Sequence, residues 1–293
     1  MAVRTPLRWP QILWRTLAKI DEDDCLGLAA QLAFYFFLSL FPALLFLVAL
    51  VGYLPLEDTL ARMLTTLGSV APGAVVSLLR TQLEEITQGT HVGLLTLGIA
   101  GAIWSSSAAM LSLINALNHA YIVEERRSWW RQRIVAIGLT VAGAIFIVLS
   151  LVLLLAGPGV AAWVAGWFGL TPVFARAWAV ARWPLMLGLV VFGVDLVYRF
   201  GPNRRGRGAW VTPGALLATG LWILSSFAFK FYVANMAQFN ATYGAIGGVV
   251  VVLLWCYVSG LAILVGAELN GVIDEDGRRA APPSSTNRAG RRT

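Results

Sequence analysis

The sequence predicts an all-α protein, a polytopic membrane bundle of about six transmembrane helices with short amphipathic helices at the interfaces. Three observations predict it. Only 13% of the 293 residues are charged and 58% are hydrophobic, whereas an ordinary soluble domain carries about a quarter charged residues. The charge is missing in blocks, since residues 25–56, 86–123, 134–175, 208–229 and 231–267 contain no Asp, Glu, Lys or Arg. The basic residues then crowd into alternate connections between those blocks.

A spanning helix needs roughly 20 mainly apolar residues to cross about 30 Å of hydrocarbon. This places helices near 32–54, 92–116, 134–156, 179–200, 209–229 and 244–267. A single buried core would not require six separate runs of that length.

Residues 1–24 form an arm before the first span. Trp9, Ile12, Leu13, Leu17 and Ile20 recur at helical spacing, Arg15 and Lys19 fall elsewhere, and Pro10 suits a first turn. The arm reads as a helix lying on the inner membrane surface. A cleaved signal peptide fits poorly, because the apolar run from Leu32 to Leu54 is too long for one and Asp21, Glu22, Asp23 and Asp24 precede it. Pro42 interrupts the first spanning helix near its middle and is expected to kink or gate it.

The loop from Pro55 to His91 is the longest connection, and its apolar residues repeat at steps of three and four, as in two short amphipathic helices. Gly157, Pro158 and Gly159 break the block 134–175 where the hydrocarbon should end, and Trp163, Trp167, Trp178 and Trp183 gather beyond them as interface anchors. At the start of the sixth helix, Gly244 and Gly248 make a step of small residues that allows close helix packing. Residues 25–272 thus constitute the transmembrane domain, and 273–293, rich in Arg, Pro and Ser, read as a disordered tail.

The net charge of +7 raises the question of nucleic acid, and the placement of the basic residues answers it. Arg4, Arg8, Arg15 and Lys19 lie in the arm; Arg126, Arg127, Arg131 and Arg133 follow the second helix; Arg199, Arg204, Arg205 and Arg207 follow the fourth; Arg278, Arg279, Arg288, Arg291 and Arg292 lie in the tail. This alternation is the positive-inside pattern, with both termini in the cytoplasm. Basicity here encodes topology, and no nucleic-acid partner is expected.

Ionisable and amide side chains near the bilayer need a reason to be there. Asp195 lies about five residues from the end of helix four, roughly 7–8 Å deep, with Arg199 one turn on. Gln31 opens helix one, Asn115 and Asn118 close helix two, and Glu268 and Asn270 close helix six, all toward the basic side. If those ends converge they form a polar layer beneath an apolar outer half, a binding site for a polar headgroup or ion and the floor of a vestibule open to the cytoplasm. A local Asp195–Arg199 pair that merely satisfies itself is the rival reading.

No catalytic motif, phosphate loop or dinucleotide fingerprint occurs. His91 and His119 fall on opposite sides of the membrane, and Cys25 and Cys256 are far apart in the topology. Neither a metal site nor a cofactor is expected, and the chain does not read as an enzyme.

Several motifs resemble the YihY/BrkB family of bacterial inner-membrane proteins. They are Leu28-Ala29-Ala30-Gln31-Leu32-Ala33-Phe34-Tyr35 with Ser39-Leu40-Phe41-Pro42, Asn115-Ala116-Leu117-Asn118 with Val123-Glu124-Glu125-Arg126-Arg127, Tyr198-Arg199-Phe200-Gly201-Pro202-Asn203, and Asn240-Ala241-Thr242-Tyr243-Gly244 running to Gly266-Ala267-Glu268-Leu269-Asn270. The resemblance implies six helices in the inner membrane. It also carries the label ribonuclease BN, a mistaken assignment, together with links to serum resistance and, in one branch, to lipid transport. No acidic or His-rich nuclease centre is present here. The expected function is a transporter or flippase-like protein for a lipid or amphiphilic envelope component, with membrane lipids as partners. A scaffold for envelope proteins and an ion or small-solute channel are the alternatives, and self-association is open.

Overall fold

The computed structural model describes residues 7–52, 92–155, 172–204, 211–235 and 239–280. Among them there are seven helices and no strand: α1 (Trp9–Glu22), α2 (Cys25–Gly52), α3 (Val92–Ala120), α4 (Trp129–Leu155), α5 (Pro172–Phe200), α6 (Pro213–Asn235) and α7 (Phe239–Ala280). The shortest of the last six has 23 residues, which at 1.5 Å per residue is about 35 Å. Trp129–Ser150, Val180–Phe200, Pro213–Val233 and Gly247–Arg279 are each long and apolar enough to cross a bilayer. α2 and α3 run for 28 and 29 residues without a formal charge. The protein is a helical membrane bundle.

The expected loop helices at 55–91, the break at 157–159 and the end of the tail lie outside the described residues. Pro42 falls within α2 and Gly244 within α7, but their side-chain surroundings are likewise outside the description; Gly248 is half-buried. Several helices are longer than hydropathy alone indicates. α4 begins at Trp129 and includes Arg131 and Arg133. α7 continues to Ala280 through the expected start of the tail, because Arg278 donates to the Asp274 carbonyl and Arg279 pairs with Glu275 one turn back. Arg131 and Arg278 reach water, whereas Arg133 is buried and donates to the Trp104 carbonyl of α3, and in each case the helix outlasts its apolar run.

Each long helix packs on its successor, and α7 closes the ring against α2 while also touching α3. Packing is uneven along the axis. At the end bearing the Arg-rich connections, Ala29, Leu32, Leu117, Tyr198, Ala215, Leu264 and Ala267 are 0% exposed. Farther along the same faces the burial fades: on α2, Cys25, Ala29 and Leu32 are buried but Phe36, Ser39 and Leu40 are only partly so. α4, α5 and α6 repeat the trend, with Ala136, Asp195 and Ala218 buried and no residue of 141–150, 181–190 or 221–230 buried. The ring is tight at its basic end and loose beyond.

α1 bends 64° away from α2. Asp24 sits between them at φ 46°, a left-handed conformation that Asp tolerates better than most residues. Its Oδ1 accepts the Gly27 N–H at 3.2 Å and so caps α2. The apolar face expected of the arm divides. Ile12 packs on Leu269 and Val272 of α7, while Trp9, Leu13, Trp14 and Leu17 remain 49–74% exposed.

Candidate functional site

The tight end of the bundle holds a buried polar network built on the first turn of α6. Thr212 is its N-cap and Pro213 its first residue, the arrangement that the dipeptide favours. The Thr212 hydroxyl accepts the Ala215 N–H at 3.2 Å and donates to Asp195 Oδ1 at 2.6 Å, and the Thr212 N–H reaches both Asp195 oxygens at 3.2 Å. Asp195 is 4% exposed. An intramembrane carboxyl is thus met by the donors of a helix start, where a partial positive charge favours it.

Asn270 completes the network from α7. Its Nδ2 donates to the Tyr121 hydroxyl at 3.1 Å and to Thr212 Oγ1 at 3.0 Å, and its Oδ1 accepts the Gly214 N–H at 2.8 Å. Every hydrogen-bonding position of the amide except one lone pair is used. The contact requires two glycines, because a Cβ at Gly214 would strike the Gly266 carbonyl oxygen and one at Gly266 would strike the Gly214 carbonyl oxygen and the Tyr198 hydroxyl. Tyr198, fully buried, donates to the Ile263 carbonyl. Arg204 lies over the Tyr121 ring at 4.7 Å and pairs with Asp274.

A second network clamps the connections outside the bundle. α3 ends in a turn in which the Ile122 N–H bonds the His119 carbonyl and the Val123 N–H bonds the Asn118 carbonyl, both at 2.9 Å. This is a Schellman motif with Ile122 in the position that usually belongs to glycine, at φ 53°. It directs Glu125 to Asn118, whose Nδ2 donates to Oε2 at 3.0 Å, and Asn118 Oδ1 accepts the Asn203 N–H at 2.9 Å. Arg127 grips Glu125 through Nε and Nη2 and donates to the Gly201 carbonyl at 2.6 Å. Partial burial pulls the Glu125 carboxyl upward, but the hydrogen bonds from Arg127 and Asn118 outweigh it and hold the group below the ordinary 4.5.

The family model described as Virulence factor BrkB matches residues 16–290. The chain belongs to the BrkB family. Among BrkB-like relatives, ribonuclease-like protein YfkH of Bacillus subtilis (strain 168) is 38% identical over 248 residues, 84% of this chain and 88% of its own length. UPF0761 membrane protein RSc1559 of Ralstonia nicotianae is 27% identical over 86% of this chain but only 56% of its own length. A UPF0761 membrane protein of Tolumonas auensis is 23% identical over 92% of this chain and 86% of its own. No solved structure is significantly similar.

Within this BrkB-family bundle the expected polar layer divides. Asp195 and Asn270 share one network, Asn118 belongs to the connection clamp, and Glu268, 1% exposed, meets Cys25 on α2. Gln31 and Asn115 are exposed, and Asn115 accepts from Gln132 at 2.9 Å. Arg199 is half-buried one turn beyond Asp195, whose carboxyl is engaged by Thr212. The sequence reading missed Thr212, Tyr121, Tyr198 and Gly214. The Thr212-Pro213 pair was a legible helix-start signal and Tyr198 opens one of the motifs that carry the family resemblance, whereas nothing local marks Tyr121.

Among the described residues the basic end is packed shut rather than open as a vestibule. Tyr121, Tyr198, Leu117 and Leu264 fill that end to 2% exposure or less, because the small residues Ala29, Ala215, Ala218 and Ala267 let the helices close on them. The polar layer is a floor, and the looser half of the ring lies on its other side.

Proposed function

We propose that this chain moves a lipid or other amphiphile of the envelope across the bacterial inner membrane, with both termini in the cytoplasm and no ATP hydrolysis of its own. One observation carries the reading: a six-helix ring closes tightly around a buried polar floor at its basic end and loosens beyond it. An amphiphile needs that combination, a laterally apolar space for its chains and buried polar groups for its headgroup. The arginine-rich connections support a cytoplasmic position for the floor. The exposed Trp9, Leu13, Trp14 and Leu17 of α1 suit the adjoining headgroup region. In this reading Asp195, Thr212 and Asn270 are the gate rather than a pre-formed pocket, since their mutual bonds must open to admit a headgroup.

The test is movement of fluorescently labelled phospholipid between leaflets of vesicles carrying the reconstituted chain, wild type beside Asp195→Asn and Glu268→Gln. Both variants are expected to change the rate while the protein stays folded. Wild-type rates in both would remove the floor from the mechanism, and no movement with folded wild-type protein would remove the lipid reading altogether.

A further inference from the structure

Glu268 is a carboxyl-bearing residue that the Asp195 network does not explain. It is 1% exposed, on the face of α7 where α1 turns into α2. Its Oε1 accepts the Cys25 thiol at 3.6 Å, and its Oε2 has no hydrogen-bond partner. The Asp23 carboxyl, at the end of α1, lies within hydrogen-bond reach of the same group. Two carboxylate oxygens cannot approach one another as bare acceptors inside a protein; one of them must supply a hydrogen.

The surrounding charges lead to the same point. The groups facing Glu268 are Lys19 and Asp23 from α1 and Cys25 from α2, with Asp24 acting on Cys25. α3 and α6, which also pack on α7, contain no Asp, Glu or Cys at all. Lys19 Nζ is committed to Asp23 Oδ2 at 3.2 Å. Two carboxylates against one ammonium leave one negative charge uncompensated, and an unpaired buried charge is among the costliest features a protein can hold. A single proton between the carboxyls removes it and gives Glu268 Oε2 its missing partner.

We propose that Asp23 and Glu268 form a proton-binding site at the α1–α2 elbow, with one proton shared between their carboxyl groups. Binding adds H⁺ to the dianionic pair to give a hydrogen-bonded monoanion, neutralised by Lys19. No other bond forms or breaks. Release of the proton restores repulsion between Asp23 and Glu268, and so loosens the hold of the elbow on α7. On the transport reading above, this proton is the coupling ion, a use that depends on that reading although the site itself does not.

Infrared difference spectroscopy of the full chain in lipid nanodiscs tests the site directly. As the pH is raised from mildly acid to alkaline, a protonated-carboxyl C=O band sensitive to D₂O is expected to disappear, and the Cys25 S–H band to shift with it. Glu268→Gln should abolish the titrating band, and Asp23→Asn should move the pH at which it disappears. Should Glu268→Gln fail to fold, Asp23→Asn, at the less buried end of the pair, decides alone. A wild-type spectrum without such a band, a band surviving in Glu268→Gln, or a titration unmoved by Asp23→Asn would each overturn the proposal. Lipid movement enters none of these readouts, so the site and the transport reading fail separately.

Discussion

Asn270→Ala is expected to cost about 2–4 kcal/mol of stability. The substitution removes two donated hydrogen bonds, to Tyr121 and Thr212, and the acceptor of the Gly214 N–H. Hydrogen bonds in membrane bundles average about 0.6 kcal/mol each, so the two donated bonds contribute about 1 kcal/mol. Gly214 N–H is buried between α6 and α7, and a buried donor left unsatisfied adds about 1–3 kcal/mol. The protein carries its own reporters, since Cys25 and Cys256 are 1% and 3% exposed and a thiol-reactive fluorogenic dye reads them only when the bundle opens. At about 2–4 °C per kcal/mol for a chain of this size class, the dye-detected Tm should fall by roughly 4–16 °C. Thr212→Ala combined with Asn270→Ala should cost less than the sum of the two, because they share a bond. A Tm within about 1 °C of wild type, or strict additivity, would refute the assignment of Asn270 as the clasp between α6 and α7.

Gly214→Ala should be worse, driving a methyl into the Gly266 carbonyl, whereas Gly138→Ala, with nothing within 4 Å of the added carbon, should be neutral or stabilising by up to about 1 kcal/mol; the same dye assay compares them. Ile122→Gly relieves a β-branched residue held at φ 53° in a Schellman turn and is expected to raise stability by about 1 kcal/mol, read as a higher Tm. Glu125 has its pKa lowered in the folded state, so the stability it lends is present above the ordinary carboxylate value and is lost as the pH falls through the depressed one. The Tm advantage of wild type over Glu125→Gln should therefore be full near neutrality and shrink as the pH is taken below about 4.

The spans were legible because charge is excluded from hydrocarbon, and that exclusion is written residue by residue. Their ends were less so. α4 starts before its apolar run, with Arg131 exposed and Arg133 buried where it donates to the Trp104 carbonyl of α3, and Asp274 to Arg279 at the end of α7 are helical through side-chain pairing; a hydropathy reading cuts off both ends. The polar layer was legible in depth but not in burial. Asn115 and Asn118 lie only about 60° apart around the helix axis, yet Asn115 is exposed and Asn118 is buried, because Glu125 and Asn203 of the adjoining connections close over Asn118 alone. Thr212 could have been recognised as a helix cap from its signature, but its pairing with Asp195 depends on how α5 and α6 meet. The approach of Gly214 to Gly266 was not legible either, since it depends on which two helices close the ring.

The decisive measurement is labelled-lipid movement in vesicles holding only the wild-type chain, beside protein-free vesicles and vesicles with heat-unfolded protein. Lipid is expected to cross between leaflets faster with folded protein than in either control. Ion flux without lipid movement, or rates equal to the controls while Cys25 and Cys256 remain shielded, would contradict it.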